Sequence, residues 1–158
     1  MIVKVKLHGG QEELQILDKG EWIDLKAPKS MVLPRNASSN FRLDYSMKIP
    51  KGYEVIIAPR SSTFYHYGII MTNGIGVIDS SYCGDDDILR FPFYSVREAK
   101  IEKGDRVCQF RLQLSQKATV WQKVKWMFTS KIKFEYVDNL GGENRGGLGS
   151  SGRNEIEV

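Results

Sequence analysis

Cysteine and histidine are scarce. The chain has two of each, Cys83, Cys108, His8 and His66, and none stands at metal-ligand spacing. That argues against a structural zinc site and against a secreted disulfide scaffold, and it fits a reducing, cytoplasmic setting. No long apolar run is present. Met1 to Leu7 alternates apolar and polar residues, so it reads neither as a signal peptide nor as a membrane span, and no membrane association is expected. Nor does any stretch of a dozen residues hold clean helical periodicity, and no internal repeat is visible. Charge of one sign is also in short supply. The net charge is +4, and only Lys117 to Lys133 is locally basic. This suits an anionic small ligand and does not call for nucleic acid. The 158 residues, 41% of them hydrophobic, suffice for one domain with its own core.

What is present is a period of two. Val3, Val5 and Leu7 share one face of a first strand. Phe41, Leu43, Tyr45, Met47 and Ile49 share another, opposite Arg42, Asp44, Ser46 and Lys48. Cys108, Phe110, Leu112 and Leu114 form a third set, and Ile132, Phe134 and Tyr136 a fourth. Val55 to Ala58 is a short continuous apolar run and reads as a central strand. Turn residues separate these runs at Pro34-Arg35-Asn36, Pro50-Lys51-Gly52, Asn73-Gly74 and Lys103-Gly104-Asp105. The expected fold is all-β, a jelly-roll β-barrel with at most one short helix, Ser61 to Tyr67, stopped by Gly68. Residues 1–140 form the β domain. Within it, Lys117 to Val137 is expected as an extra hairpin packed on the barrel; its bulky Trp121, Trp126, Met127 and Phe128 among lysines leave a protein-binding surface as the alternative. Residues 141–158 are glycine-rich and by composition form a flexible C-terminal arm.

The most informative stretch runs from Thr72 to Gly84. It reads as a hairpin turn tipped by glycines, followed by one acid, Asp79, and one tyrosine, Tyr82. Glycines spaced one apart, Gly74 and Gly76, leave backbone donors and acceptors bare for a flat heterocycle. A base beside the turn, a sugar on Tyr82 and phosphates facing Asp79 is the arrangement this pattern suggests. Arg145, with serines among glycines behind it, has the ingredients of a phosphate cradle.

Five separated stretches, in order, resemble the five motifs of the trimeric dUTPase family. They are Trp22-Ile23-Asp24-Leu25-Lys26-Ala27, Pro59-Arg60-Ser61-Ser62, Gly76 to Gly84, Lys103 to Phe110, and Arg145 to Gly152. The third and fourth are the most specific. The spacing between them, with Arg90-Phe91-Pro92-Phe93-Tyr94, looks most like enzymes of phages and prophages of Gram-positive bacteria.

The resemblance implies hydrolysis of dUTP to dUMP and pyrophosphate, which limits uracil incorporation into DNA and supplies dUMP for thymidylate synthesis. It implies Mg²⁺ carried mainly by the triphosphate and water, with Asp24 acting through water. Asp79 would aim and deprotonate the water that attacks the α-phosphorus. Tyr82 would pack on the deoxyribose, and backbone groups around Asn73, Gly76, Val77 and Ile78 would pair with uracil. Arg60, Ser61, Ser62 and Gln109 match phosphate-binding positions, and Asp105 with Arg106 reads as a structural pair. Arg145 would clamp the γ-phosphate, aided by Gly149, Ser150 and Ser151. Leu148 stands where the family has an aromatic that stacks on uracil, so Phe91 or Phe93 is a candidate substitute. The family assembles as a homotrimer with shared active sites. Two alternatives accompany this reading: a regulator that binds another protein, and a dCTP deaminase of the same fold.

Overall fold

A computed structural model describes residues 1–17, 20–129 and 131–146. Eleven strands and two helices follow in chain order: β1 (Ile2–Leu7), β2 (Ile23–Lys26), β3 (Met31–Leu33), β4 (Ser38–Lys48), β5 (Tyr53–Pro59), α1 (Thr63–Tyr67), β6 (Ile69–Met71), β7 (Gly76–Asp79), β8 (Ile88–Ser95), β9 (Ala99–Ile101), β10 (Arg106–Leu114), α2 (Val120–Phe128) and β11 (Lys133–Tyr136). They form a five-stranded sheet, β11-β1-β4-β8-β6, a four-stranded sheet, β2-β10-β5-β7, and a small β3-β9 pair. The alternating residues meet between the sheets. Val3, Val5, Leu43, Tyr45, Phe91 and Phe93 of one sheet pack with Leu25, Val55, Ile57 and Phe110 of the other in a single buried cluster. The all-β expectation holds, and β5 lies inside its sheet as the apolar run of residues 55–58 predicted.

Helix α1 falls where it was expected. Gly68 ends it in the left-handed conformation, φ 59°, and its N–H donates to Phe64 O at 2.7 Å. The second helix was not expected. Among the described residues of 117–137 there is no hairpin: α2 occupies the middle, and β11 pairs in parallel with β1, Val3 opposite Phe134. The helix starts at a capping box. Thr119 Oγ1 accepts the Gln122 N–H at 3.3 Å, and Gln122 Oε1 accepts the Thr119 N–H at 2.8 Å. Aromatic and β-branched residues favour strand, but here the capping pair and the i, i+4, i+7 spacing of Val120, Val124 and Met127 prevail.

The Asn73-Gly74 turn also differs from a hairpin. Its two arms belong to different sheets, β6 pairing with β8 and β7 with β5. The turn therefore carries the chain from one layer to the other. Gly76 is buried at the crossing, where an added Cβ would stand 3.4 Å from Ile57 Cβ and 3.5 Å from Met71 Cε. Among the described residues, no helix is long and apolar enough to cross a membrane.

Candidate active site

Asp79 ends β7, opposite Glu54 of β5. The chain turns at once, and the Tyr82 N–H donates to Asp79 O at 3.2 Å. Ser81 donates to Asp79 Oδ1 twice, from its N–H at 2.8 Å and from its hydroxyl at 2.5 Å. Arg145 Nη1 donates to Asp79 Oδ2 at 3.0 Å and to Ser81 Oγ at 2.8 Å. The Ser81 hydroxyl above all, then the Ser81 N–H and Arg145, hold the Asp79 carboxyl below its ordinary range against an opposing effect of partial burial. The carboxylate remains about half exposed, at 51%. Beside it, β7 is the outer strand of its sheet, so alternate backbone N–H and C=O groups face away from β5. Tyr82 is half-buried, and its hydroxyl donates to Ile88 O at 3.0 Å.

A second polar group gathers around Asp24. Strand pairing places Asp24 opposite Gln109, and Gln109 opposite Ala58. Arg60 Nε lies 2.7 Å from Asp24 Oδ1, and Arg106 Nη1 lies 3.3 Å from Oδ2. Gln109 Nε2 donates to Pro59 O at 3.3 Å. Buried Thr63 locks the Arg60 loop, its hydroxyl accepting the Arg60 N–H at 3.0 Å and donating to Val107 O at 2.9 Å. Ser61 is exposed, and Ser62 caps α1 without a side-chain capping bond. An open basin of about 500 Å³ lies among Arg60, Ser62, His66, Tyr67 and the Gly104–Arg106 turn. Burial and the Asp105 carboxyl raise the Tyr67 phenol to about 12. Asp105 does not pair with Arg106 as expected. Its carboxyl accepts the Glu102 N–H at 2.9 Å, and Arg106 turns to Asp24.

The two groups stand apart on one chain. From β7 to β2 is three strand spacings, and Asp79 is offset from the Asp24 row by four residues along β5. Together these put the two carboxylates roughly 20 Å apart.

Three consecutive acids, Asp85, Asp86 and Asp87, hold the start of the C-terminal arm. Asp85 Oδ1 accepts the Leu140 N–H at 2.8 Å. Asp86 exchanges two bonds with the Asn144 side chain, each 2.9 Å. Asp87, 1% exposed, accepts the N–H groups of Gly84, Arg145 and Gly146 at 2.9 to 3.1 Å. Residues 140–146 are thereby laid along the loop after β7, and Arg145 is delivered to Asp79.

Residues 23–131 match the family model described as dUTPase. The chain belongs to the dUTPase family. It is 39% identical over 153 residues to the SPbeta prophage-derived deoxyuridine 5'-triphosphate nucleotidohydrolase YosS of Bacillus subtilis (strain 168), covering 96% of this chain and 99% of that protein. Its fold is shared with a mutant dUTPase from phage phi11 of S. aureus that carries a structural Mg(II) ion (TM-score 0.65, 15% identity, 75% of this chain and 94% of that one). It is shared too with the Staphylococcus bacteriophage 80alpha dUTPase, described as controlling transfer of virulence genes (TM-score 0.64, 17% identity, 75% and 93%).

In this dUTPase the expected residues separate by place. Asp79, Tyr82, Arg145 and the backbone of Gly76, Val77 and Ile78 cluster at β7, with Asn73 in the turn before it. Asp24, Arg60, Ser61, Ser62 and Gln109 cluster at the far side of the same sheet. Leu148, Gly149, Ser150 and Ser151 lie outside the described residues. Phe91 and Phe93 do not replace the missing aromatic: each is 1% exposed, and their rings stack on each other in the core with centroids 6.4 Å apart. Of the arm expected to be flexible, residues 141–146 are tied down by the Asp85–Asp87 run. That run was not singled out in the sequence; its adjacency to the third motif was the one available signal. Asp87→Ala should lower kcat/KM about ten-fold by releasing Arg145, and cost about 1–3 kcal/mol for the stranded N–H groups. The same change in an Arg145→Ala background should have little further effect on kcat/KM, which steady-state kinetics of the four proteins would check.

Among the described residues no cluster of three His, Cys, Asp or Glu side chains could hold a metal ion. Asp24 is a single carboxylate with both oxygens on guanidinium groups. This donor set fits Mg²⁺ bound by substrate phosphates and water, and does not fit a resident all-protein metal cage.

Proposed function

We propose that this protein hydrolyses dUTP to dUMP and pyrophosphate at sites assembled between copies of the chain in a homotrimer, in the cytoplasm. The observation that carries the reading is Asp79: a carboxylate with lowered pKa, half open to solvent, beside an edge strand with unpaired backbone groups. The β7 edge pairs with the uracil, whose two carbonyls and one N–H differ from the cytosine pattern. Tyr82 packs on the deoxyribose and leaves no room for a 2′-hydroxyl, and a tight turn excludes the thymine methyl. Asp79 orients a water on the α-phosphorus and takes its proton as the new P–O bond forms. The bond from the α-phosphorus to the bridging oxygen breaks, and pyrophosphate leaves. A triphosphate draws Arg145 from Asp79 to the γ-phosphate, which opens the carboxylate to that water. Arg145 lies in the fifth motif with Leu148, Gly149, Ser150 and Ser151, which complete the grip on the phosphates.

Arg60, Ser61, Ser62 and Gln109 bind phosphate oxygens. Mg²⁺ would be held by those oxygens and by water, with Asp24 contributing through water, and would supply charge neutralisation. One nucleotide cannot touch both polar groups on one chain when they stand roughly 20 Å apart. Asp79 of one copy therefore works with Asp24, Arg60 and Gln109 of another. Hydrolysis would keep dUTP from polymerases and supply dUMP.

The test is incubation with dUTP, dCTP, dTTP and UTP, with and without Mg²⁺, following pyrophosphate and ammonia. Pyrophosphate from dUTP alone, and only with Mg²⁺, is expected. Ammonia from dCTP would replace this reading with deamination.

A further inference from the structure

Helix α2 turns its apolar side away from its own domain. The inward side is held by Gln122, whose Nε2 donates to Lys51 O at 2.6 Å, and by Trp126, whose ring lies 5.6 Å from that of Tyr53. On the outward side Val120, Val124 and Met127 form a row, with Trp121 and Phe128 beside it; their exposures run from 38% to 82%. Lys123 and Lys125 stand along the two edges of this row, and no carboxylate occurs in the sequence between Asp105 and Glu135. A stripe of this kind, apolar with a cationic rim, calls for a cover that is apolar with an anionic rim.

The chain carries such a surface elsewhere. In the segment Glu12–Leu17, Leu14 is buried, while Ile16 (56%) and Leu17 (46%) are exposed with Glu13 among them. Glu12 is already paired with Lys26 at 2.6 Å, and Glu13 is exposed beside it. Because the two surfaces differ, a contact between them joins copies head to tail, and such contacts give a ring when the rotation between copies closes. Their places matter as well. The start of α2, at Thr119 and Gln122, lines an open groove of about 720 Å³ together with Val77, Asp79 and Ser81. Glu13 and Leu17 line a small cleft of about 60 Å³ with Asp24 and Arg106. The start of the helix thus borders the Asp79 group, and the Glu13–Leu17 segment borders the Asp24 group.

We infer that α2 of one copy docks on the Glu13–Leu17 segment of the next, and that this contact brings Asp79 of the first beside Asp24 and Arg60 of the second. The inference rests on the shared-site reading above. It adds a joining surface outside the five motifs and assigns α2 a task.

The experiment measures mass by sedimentation across a dilution series of the full chain, with dUTP hydrolysis at each concentration. Three variants are compared: Met127→Ser with Phe128→Ser, Lys123→Glu with Lys125→Glu, and Glu13→Lys. Each is expected to raise the concentration needed for assembly by about ten-fold or more, with activity per chain falling in step. Combining Glu13→Lys with the lysine reversals should restore much of the loss. If α2 variants lose folded structure, Glu13→Lys, which lies outside the helix, decides. Wild-type mass and activity in all variants at every dilution would overturn the inference, and so would charge reversals that show no rescue when combined. Retained assembly in variants that lose binding to vesicles or to another protein would assign the stripe elsewhere. Mixing site variants tests the shared site separately, so the two readings can fail independently.

Discussion

Asp79→Asn should lower kcat for dUTP by about 10²–10⁴-fold, the usual worth of a positioned general base. Nucleotide binding should change little, because asparagine keeps the shape and its carbonyl oxygen can still accept from Ser81. Single-turnover rates and the equilibrium affinity for a non-hydrolysable dUTP analogue would separate the two effects. Loss of affinity comparable to the loss of rate would mean that Asp79 holds substrate and does not activate water. The pH dependence follows from the same contacts. Because the folded pKa of Asp79 is lowered, chiefly by the Ser81 hydroxyl, its acid limb in kcat/KM should fall below the ordinary aspartate value of about 3.9. The associated stability is present above the unfolded pKa and disappears as pH falls through the lowered folded value. Ser81→Ala removes the leading cause and should move that limb upward.

Mixed assemblies should regain activity that neither parent has. Asp79→Asn lacks the base, and Arg60→Ala lacks a phosphate contact on the other polar group. If each site draws Asp79 from one copy and Arg60 from another, random reassembly leaves some sites with both residues intact. Up to about a quarter of wild-type activity should return at equal mixing, from parents reduced about 10²-fold or more. Denaturing and refolding the proteins together, with refolding of each alone as control, gives the measurement. Activity no higher than the sum of the parents would place the whole site on one chain, which the strand register opposes: Asp79 is opposite Glu54, whereas Asp24 lies across β10 from Ala58.

The amino-acid sequence determined the β class and most strand faces, and it named the candidate residues of the site. Period-two patterns at Val3–Leu7, Phe41–Met47 and Cys108–Leu114 are local, because alternate residues must face the same side of a strand whatever its partner is. Asp79, Tyr82, Arg60 and Gln109 stood out as candidates for a related reason, since each lies in a motif of short range. Tertiary structure decided the rest. That the Asn73-Gly74 turn links two sheets, that Phe91 and Phe93 point into the core, and that β11 joins β1 in parallel all depend on distant pairings. The helix over residues 120–128 was settled by the Thr119–Gln122 cap and by anchorage on Lys51 and Tyr53, against residue preferences that lean to strand. Asp85 to Asp87 look like a solvated acidic run until residues 140–146 fold back on them and put backbone N–H groups within bonding distance. Separation of Asp24 from Asp79 is likewise a property of strand order, which no spacing along the chain encodes, because hydrogen-bonded neighbours in a sheet are chosen by packing and not by proximity in sequence.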